Sequence, residues 1–312
     1  MSQTAIPAEV LPPEPPPPPR RPINWPKWAI VLAALLVVGI PVGVALVPRE
    51  LAQWYLAQAQ QKFLAGDLEG MQESLATALS YDPSSVLARV EGANWHLELG
   101  DADGALVLVN EALELAPDRY EAYLLRSQIY QKLGRQREAV DDAQQSLEVV
   151  KRQLAVLDER DEELPRSAAA IEAQSLNAVA YARAVANLEL PEALGQIEQA
   201  IKLDDPDAAF LDTRGYIHYL SGNLPAARSD LDEAVTKAER LTQESIKALE
   251  RTGSLANDER ALARQRKLLE RNLAVIYYHR GLVLEKQGEK DAAEKDFARV
   301  RELGEKPGKE LY

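Results

Sequence analysis

The sequence contains no cysteine among its 312 residues and only three histidines. The absence of cysteine excludes disulfide scaffolds, thiolate zinc sites and cysteine nucleophiles. Aromatic residues are also scarce, at 6% of the chain. The chain is instead rich in Ala, Leu, Glu and Gln in runs free of glycine and proline, and this composition predicts helix rather than strand.

Basic residues are fewer than acidic ones. Lysine and arginine number 36 against 49 aspartate and glutamate residues, which gives a formal net charge of −13 at pH 7. Because such a surface repels the phosphates of nucleic acid, we expect no nucleic-acid partner. Hydrophobic residues make up 46% of the chain, enough for a sizeable core in one or two domains.

Proline is concentrated at the amino terminus. Of the 19 prolines, 12 fall within the first 48 residues, including the run PPEPPPPPRRP at 12–22. Such a run has few amide donors and a fixed φ, so it favours an extended polyproline II segment. Residues 1–27 are therefore predicted to be a disordered tail, either a semi-rigid spacer or a ligand for a proline-binding module.

One long apolar segment follows this tail. Residues 28–47, WAIVLAALLVVGIPVGVALV, carry no charge, and as a helix they would span about 30 Å, the thickness of the hydrocarbon core of a bilayer. The segment predicts a transmembrane helix at 28–48. A cleaved signal peptide is the alternative, but its apolar region is usually about 7–15 residues long with a small-residue cleavage site after it.

The charges beside the segment predict its orientation. Arg20, Arg21 and Lys27 precede it, whereas Arg49 follows it next to Glu50. The positive-inside rule then keeps the amino terminus in the cytoplasm and exports everything after residue 48. We expect a single-pass membrane protein with an extracytoplasmic domain, periplasmic or at the cell surface.

A period of about 34 residues runs through the rest of the chain. Pro83 and Pro117 lie one such period apart, and a degenerate unit has Leu188 where its turn glycine is expected. Two antiparallel helices cross closely only where a side chain is small, and a sharp turn between them favours glycine. The residues that recur in register are Gly66, Met71, Leu75 and Ala78; Gly100, Ala105, Val109 and Ala112; Tyr130, Gly134, Ala139 and Ala143; Gly215, Gly222, Ala227, Leu231 and Ala234; and Gly281, Gly288, Ala293, Phe297 and Val300.

This spacing resembles the tetratricopeptide repeat, a helix-turn-helix unit of about 34 residues. The predicted fold is all-α: a right-handed α-solenoid of about six such units with two helical insertions, preceded by a single transmembrane helix. The six units, numbered first to sixth below, are 52–85, 86–119, 120–153, 174–207, 208–241 and 274–307. They belong to a repeat domain at 49–312.

Two insertions interrupt the period, at 154–173 and 242–273. Both have the composition of charged helix. The longer one predicts a protruding helical hairpin, with one helix running to about 251 and the next beginning near 258. Apolar residues suited to a short antiparallel coiled coil are Ala238, Leu241 and Leu249 on one arm and Leu262, Leu269, Leu273 and Ile276 on the other. The hairpin is either a partner-docking arm or a solvated helix pair.

Residues suited to catalysis are sparse and scattered. His96 and His218 occupy a repeat position that a packing tyrosine usually takes, and no second ligand lies at helical spacing from His279. Asp204 and Asp205 precede Pro206 and indicate a helix end. We find no glycine-rich phosphate loop. We therefore expect no enzyme activity, no cofactor and no metal.

The resemblance implies a concave groove, formed by the first helices of successive units, that binds a peptide or helix of a partner. Only Asn94 matches the clamp by which some members grip a carboxyl terminus. Tyr216, Tyr219 and Tyr278 are a predicted hot spot, with packing between units as the alternative, and Asp212 favours a basic partner. The groove candidates are Gln60, Glu91, Asn94, Glu98, Gln128, Gln131, Lys132, Asp212, Thr213, Tyr216, Tyr219, Tyr278 and His279.

Function is therefore expected from surface rather than chemistry. We predict a membrane-anchored scaffold that mediates protein–protein interaction at the cell envelope. The alternative is a regulatory or substrate-binding subunit of an envelope enzyme complex whose catalytic chain is separate.

Overall fold

A computed structural model of the chain describes residues 40–158, 166–204, 207–252 and 259–308. Within these ranges the chain forms twelve α-helices and no β-strand, which confirms the all-α prediction. The helices are α1 (Ile40–Ala65), α2 (Leu68–Tyr81), α3 (Val86–Glu98), α4 (Ala102–Leu115), α5 (Tyr120–Lys132), α6 (Gln136–Asp158), α7 (Arg166–Ala186), α8 (Leu190–Leu203), α9 (Ala208–Leu220), α10 (Leu224–Thr252), α11 (Glu259–Gln287) and α12 (Lys290–Glu302).

The amino-terminal predictions fall largely outside this description. The tail at 1–27 and most of the apolar segment at 28–48 lie outside the described residues, and residues 40–48 of that segment belong to α1. Across the described ranges, we find no helix that combines the length and the apolar character needed to cross a bilayer. The repeat region lies in one compact unit, Pro48–Tyr312.

Sharp turns join the two helices of each hairpin. Five hairpins turn at a glycine with φ between +72° and +87°, in the left-handed region that favours this residue: Gly66, Gly100, Gly134, Gly222 and Gly288. In the fourth unit, Leu188 stands in the place of that glycine. Its neighbours Asn187 and Glu189 adopt φ values of 52° and 47° there. The turn is therefore preserved, but two non-glycine residues take up a left-handed backbone conformation that is strained for them.

Polar side chains cap the beginnings of several helices. The carboxylate of Asp67 accepts a hydrogen bond from the Gly70 amide at 3.0 Å, and that of Asp101 accepts one from the Gly104 amide at 2.9 Å. Asp207 accepts two, from the amides at positions 209 and 210. These bonds satisfy amides that have no partner within the first turn of the helix.

The small residues lie where paired helices approach most closely. A Cβ atom on Gly215 would lie 2.7 Å from Leu231 Cγ across the α9–α10 hairpin. Ala227 and Ala234 on the facing helix are fully buried. The regular spacing in the sequence thus builds the helix crossings, and large residues such as Leu231 fill the space between them.

The longer insertion forms a hairpin, because α10 ends at Thr252 and α11 begins at Glu259. Ala238 of α10 packs in one cluster with Leu273 and Ile276 of α11. Further along the arms, Arg266 Nη2 lies 3.6 Å from Glu250 Oε1.

The prediction that this hairpin protrudes is wrong for its α11 arm. Arg271 Nη1 donates a hydrogen bond of 2.8 Å to Glu98 Oε2 of α3. The guanidinium carbon of Arg264 lies 5.4 Å from the centre of the Phe63 ring of α1. This part of α11 carries arginine and leucine side chains that contact Glu98, Phe63 and Trp95 of the first two units, so it folds back onto them instead of extending into solvent.

Candidate functional site

The first helices of successive units form a continuous row. Helices α3, α5, α7, α9 and α11 each lie against the next member of this set. Helix α1 joins the row through Phe63, whose ring stacks on Trp95 of α3 with centroids 6.0 Å apart. We call the cavity-lining face of α1, α3, α5, α7 and α9, together with α11 from residue 273 onward, the groove surface.

Candidates from the first three units lie together on the groove surface. Asn94 and Gln128 are both exposed there. One cavity, of about 310 Å³, is lined by Gln60, Glu91, Asn94 and Glu98. A second, of about 220 Å³, is lined by Gln128, Gln131 and Lys132. Residues of α11 form the opposite wall of both.

Candidates from the last two units are mostly buried, and the prediction that they form an exposed hot spot is wrong. Tyr216 and Tyr278 are 7% and 8% exposed, and His279 is fully buried. Because α9 and α11 are adjacent in the row, these side chains point at each other: the Tyr216 ring stacks on His279 at 4.1 Å. The structure instead agrees with the alternative prediction, in which these tyrosines pack between units. Tyr219 is half-buried and lies 6.1 Å from Tyr216, ring centre to ring centre.

Asp212 holds His279 in place. Its Oδ1 lies 2.8 Å from Nδ1 of His279, and since a carboxylate only accepts, Nδ1 carries the donated proton. Asp212 is itself 5% exposed, and its neighbour Thr213 is buried as well. The pair ties the fifth unit to the sixth.

A central cavity of about 500 Å³ opens on the groove surface. Helices α5, α7 and α9 supply one wall, and α10 and α11 supply the other. Leu269, Leu273 and Ile276 make part of the lining apolar. Asp207 and Asp212 bring carboxylates, and the described lining holds neither lysine nor arginine. The cavity therefore combines apolar surface with negative charge.

Two polar side chains of α7 face this cavity. Asn177 Oδ1 is buried and finds no hydrogen-bond partner within the described part of the chain. Burial raises the pKa of the Tyr181 hydroxyl well above its usual value, and the nearby Asp212 charge raises it further. At neutral pH, Tyr181 thus keeps a protonated hydroxyl, and the buried amide oxygen of Asn177 is an unused acceptor within the described residues.

Cationic side chains of α11 cover the groove surface at the first two units. Arg264, Lys267 and Arg271 line a cavity of about 690 Å³ together with Phe63 and Glu98. Burial lowers the pKa of Lys132 at the neighbouring unit, and the positive charge of Arg271 lowers it further. Several positive charges are therefore gathered here against an acidic face.

Sequence reasoning missed an arginine–aspartate pair that recurs within units. Three such pairs each form two hydrogen bonds of 2.6–2.9 Å across a hairpin: Arg126 with Asp142, Arg214 with Asp230, and Arg280 with Asp296. In each pair the aspartate bond raises the pKa of the arginine. The signal was one arginine-to-aspartate spacing of 16 positions, repeated in the third, fifth and sixth units. These pairs clamp hairpins and do not line the central cavity.

The described residues contain no group of three or more histidine, aspartate or glutamate side chains arranged to hold a metal ion.

A family model for the tetratricopeptide repeat matches residues 120–149 and 274–303. These ranges begin where the third and sixth predicted units begin, so the match confirms tetratricopeptide repeats at both places. The assignment of the other four units stays a prediction. None of the curated proteins matches the chain.

Several solved structures are similar in fold. A tetratricopeptide repeat protein from Parabacteroides merdae is 17% identical, with a TM-score of 0.47 over 82% of this chain and 94% of that one. PilF of Pseudomonas aeruginosa is 16% identical, with a TM-score of 0.49 over 78% and 99%. PilW, a type IV pilus biogenesis factor, is 14% identical, with a TM-score of 0.48 over 80% and 92%.

Proposed function

We propose that this chain is a membrane-anchored scaffold that binds a segment of another protein on its groove surface. The observation that carries the proposal is the central cavity of about 500 Å³, which presents apolar walls, two carboxylates and a buried acceptor at Asn177. Concave sites of this size and mixed character are typical of ligand binding. The chain acts by holding its partner, without catalysis and without a cofactor.

The partner segment is basic and partly apolar. The first 48 residues carry three basic and two acidic side chains, so the rest of the chain has a net charge of −14. Asp207 and Asp212 also place negative charge in the lining of the cavity itself. A lysine or arginine of the partner would find complementary charge there, and its apolar neighbours would contact Leu273 and Ile276.

The anchor is the apolar segment at 28–47, and the repeat domain is extracytoplasmic. The length of the uncharged run and the basic residues before it support this proposal. Protease added to cells with a permeabilised outer layer should digest the domain after residue 48. A domain that stays protected until the inner membrane is lysed would contradict the orientation.

Position-specific photo-crosslinking tests the groove. A photoreactive amino acid at Gln128, which is exposed in the central cavity, should capture a discrete partner in intact cells. The same amino acid at Val107, which is 58% exposed on α4, is the matched control and should not.

A second substitution decides whether the cavity itself is occupied. Ala209→Trp places a large ring at an exposed cavity position, whereas Ala76→Trp adds the same ring on α2. Crosslinking from Gln128 should be lost with the first substitution and kept with the second. Equal crosslinking in both variants, or from Val107 as strongly as from Gln128, would overturn the groove as the binding surface.

A further inference from the structure

The amino-terminal part of α11 is bound to the groove surface but is not part of the core. We call residues 262–272, LARQRKLLERN, the arm. All eleven of its residues are exposed or half-buried. The next residues of the same helix, Leu273 and Ala274, are 4% and 0% exposed. The boundary between surface-bound and core helix therefore lies at residue 273.

Three side chains of the arm illustrate its contacts with the first two units. Arg264 lies over the Phe63 ring at 5.4 Å, and Arg271 pairs with Glu98 at 2.8 Å. Between them, Leu268 packs against the cluster that holds Phe63 and Trp95. Their positions are i, i+4 and i+7, so they share one face of the helix.

Charge complementarity accompanies this fit. The arm contains four basic residues and one acidic residue, a local net charge of +3 in a chain of net −13. The ionisable groups that the first two units contribute to the cavity beneath it are Glu91 and Glu98. The groove surface at these units is therefore acidic and aromatic, and its present occupant is a basic helix with a central leucine.

The contacts are of a kind that an outside ligand can replace. The side chains of Arg271 and Glu98 are 31% and 26% exposed, and water that reaches an ion pair weakens its contribution to stability. Helix α11 begins at Glu259, close to the arm, so within this helix the arm is joined to the core only at residue 273. Beside it lies α10, whose Glu250 pairs with Arg266 at 3.6 Å. This covalent connection gives the arm a high local concentration at the groove surface, which adds to its contacts there.

We propose that the arm is an internal competitor for the groove surface, and that the partner is a helix of the same chemistry, with basic residues at i and i+7 and a leucine-like residue at i+4. The partner displaces the arm from the first two units while the rest of α11 stays in the core. This rests on the proposed function, because it names the partner and the regulation of the same groove.

The test uses the full chain, whose lack of cysteine makes introduced thiols unique. Arg271→Ala removes the ion pair from the side of the arm and keeps Glu98 available to the probe. In the same chain, Gln60→Cys with Gln265→Cys places two thiols in one cavity, where a reducible bismaleimide can join the arm to α1. The probe is a labelled peptide with the sequence of residues 259–272, followed by fluorescence anisotropy. The uncoupled variant should bind it at least tenfold more tightly than the unmodified chain. Coupling should abolish the gain, and reduction of the linker should restore it.

Two controls accompany this experiment. Arg299→Cys with Glu302→Cys replaces another exposed ion pair of 2.8 Å, on α12, and its coupling should leave binding unchanged. A probe with Glu in place of Arg264 and Arg271 should bind at least tenfold more weakly. Probe binding that is insensitive to coupling, or absent in the uncoupled variant, would overturn the proposal. Photo-crosslinking from Gln128 reports on the proposed function independently, so persistent crosslinks with no probe binding would reject the competitor alone.

Discussion

The arm and the carboxyl half of α11, from residue 273 onward, form one continuous helix but pack against the rest of the protein in different ways. After residue 273, Ile276, His279 and Val283 are 4%, 0% and 0% exposed and pack against α9, α10 and α12. Before residue 273, the arm touches the groove surface through Arg264, Leu268 and Arg271, none of them fully buried. Burial of apolar area is the main source of stability, so the carboxyl half is a structural element and the arm is a replaceable ligand.

Matched truncations should expose this difference most strongly. Ile276→Ala removes a buried side chain from the carboxyl half and should lower the free energy of unfolding by about 2–5 kcal/mol. Leu268→Ala removes a half-buried side chain from the arm and should lower it by about 1 kcal/mol or less. Urea denaturation of both variants measures the two values. Equal losses would mean that the arm is as much part of the core as the rest of α11.

Overpacking provides the next largest contrast. A Cβ on Gly281 would lie 2.5 Å from Cε1 of Phe297, so Gly281→Leu should destabilise the sixth unit by about 1–3 kcal/mol or more. Ala263→Leu adds bulk at an exposed arm position and should change stability by less than about 0.5 kcal/mol. Thermal unfolding distinguishes them. A stable Gly281→Leu variant would argue against a close α11–α12 crossing.

The ion pairs of the two halves should also respond unequally. Asp296 is 5% exposed and accepts two hydrogen bonds from Arg280, so Asp296→Asn should cost about 1–3 kcal/mol. Glu98→Gln weakens the more open pair with Arg271 and should cost about 0–1 kcal/mol. Added salt should reduce the second effect more than the first, because exposed charges are screened more. The reverse order of costs would contradict the assignment of the two pairs.

The last expected effect is a pH dependence that distinguishes the carboxyl half, because the arm contains no tyrosine. Burial, with a hydrogen bond to Glu239, raises the pKa of Tyr277 to about 12. A raised folded-state pKa gives stability that is present below pH 10 and is lost as the pH rises towards 12. The unmodified chain should therefore lose more stability between pH 10 and 12 than Tyr277→Phe. Other tyrosines contribute equally to both proteins, so parallel profiles would reject the shift.

Sequence predicted the small residues and turn glycines that repeat, but it missed the recurring arginine–aspartate pairs and the contacts that occur once. Gly215 is required by a close helix crossing and Gly222 by a sharp turn. Both requirements recur at the same positions of each repeat, so they leave a periodic pattern that can be recognised in the sequence. The packing of Tyr216 on His279 was left open because a first-helix side chain can face either the groove or the next unit. Only the stacking of α9 on α11 decides between them.

The course of the arm could not be predicted for a related reason. Leucines in 242–273 suited a coiled coil between α10 and α11, and that pairing holds near Ala238 and Leu273. Nothing local specified the second surface that the arm meets, since Glu98 lies 173 positions before Arg271 in the sequence. A comparison of the basic face of the arm with the acidic groove candidates Glu91 and Glu98 would have suggested it.

Hydrogen exchange of the full-length chain, resolved by mass spectrometry, tests the replaceable arm most directly. Amides of residues 262–272 should exchange through a local opening whose free energy is well below that of global unfolding, and amides of 273–287 should exchange only with global unfolding. The labelled peptide of residues 259–272, added in excess, should further speed exchange in the arm and leave 273–287 unchanged. Equal protection across residue 273, unaffected by the peptide, would contradict the account.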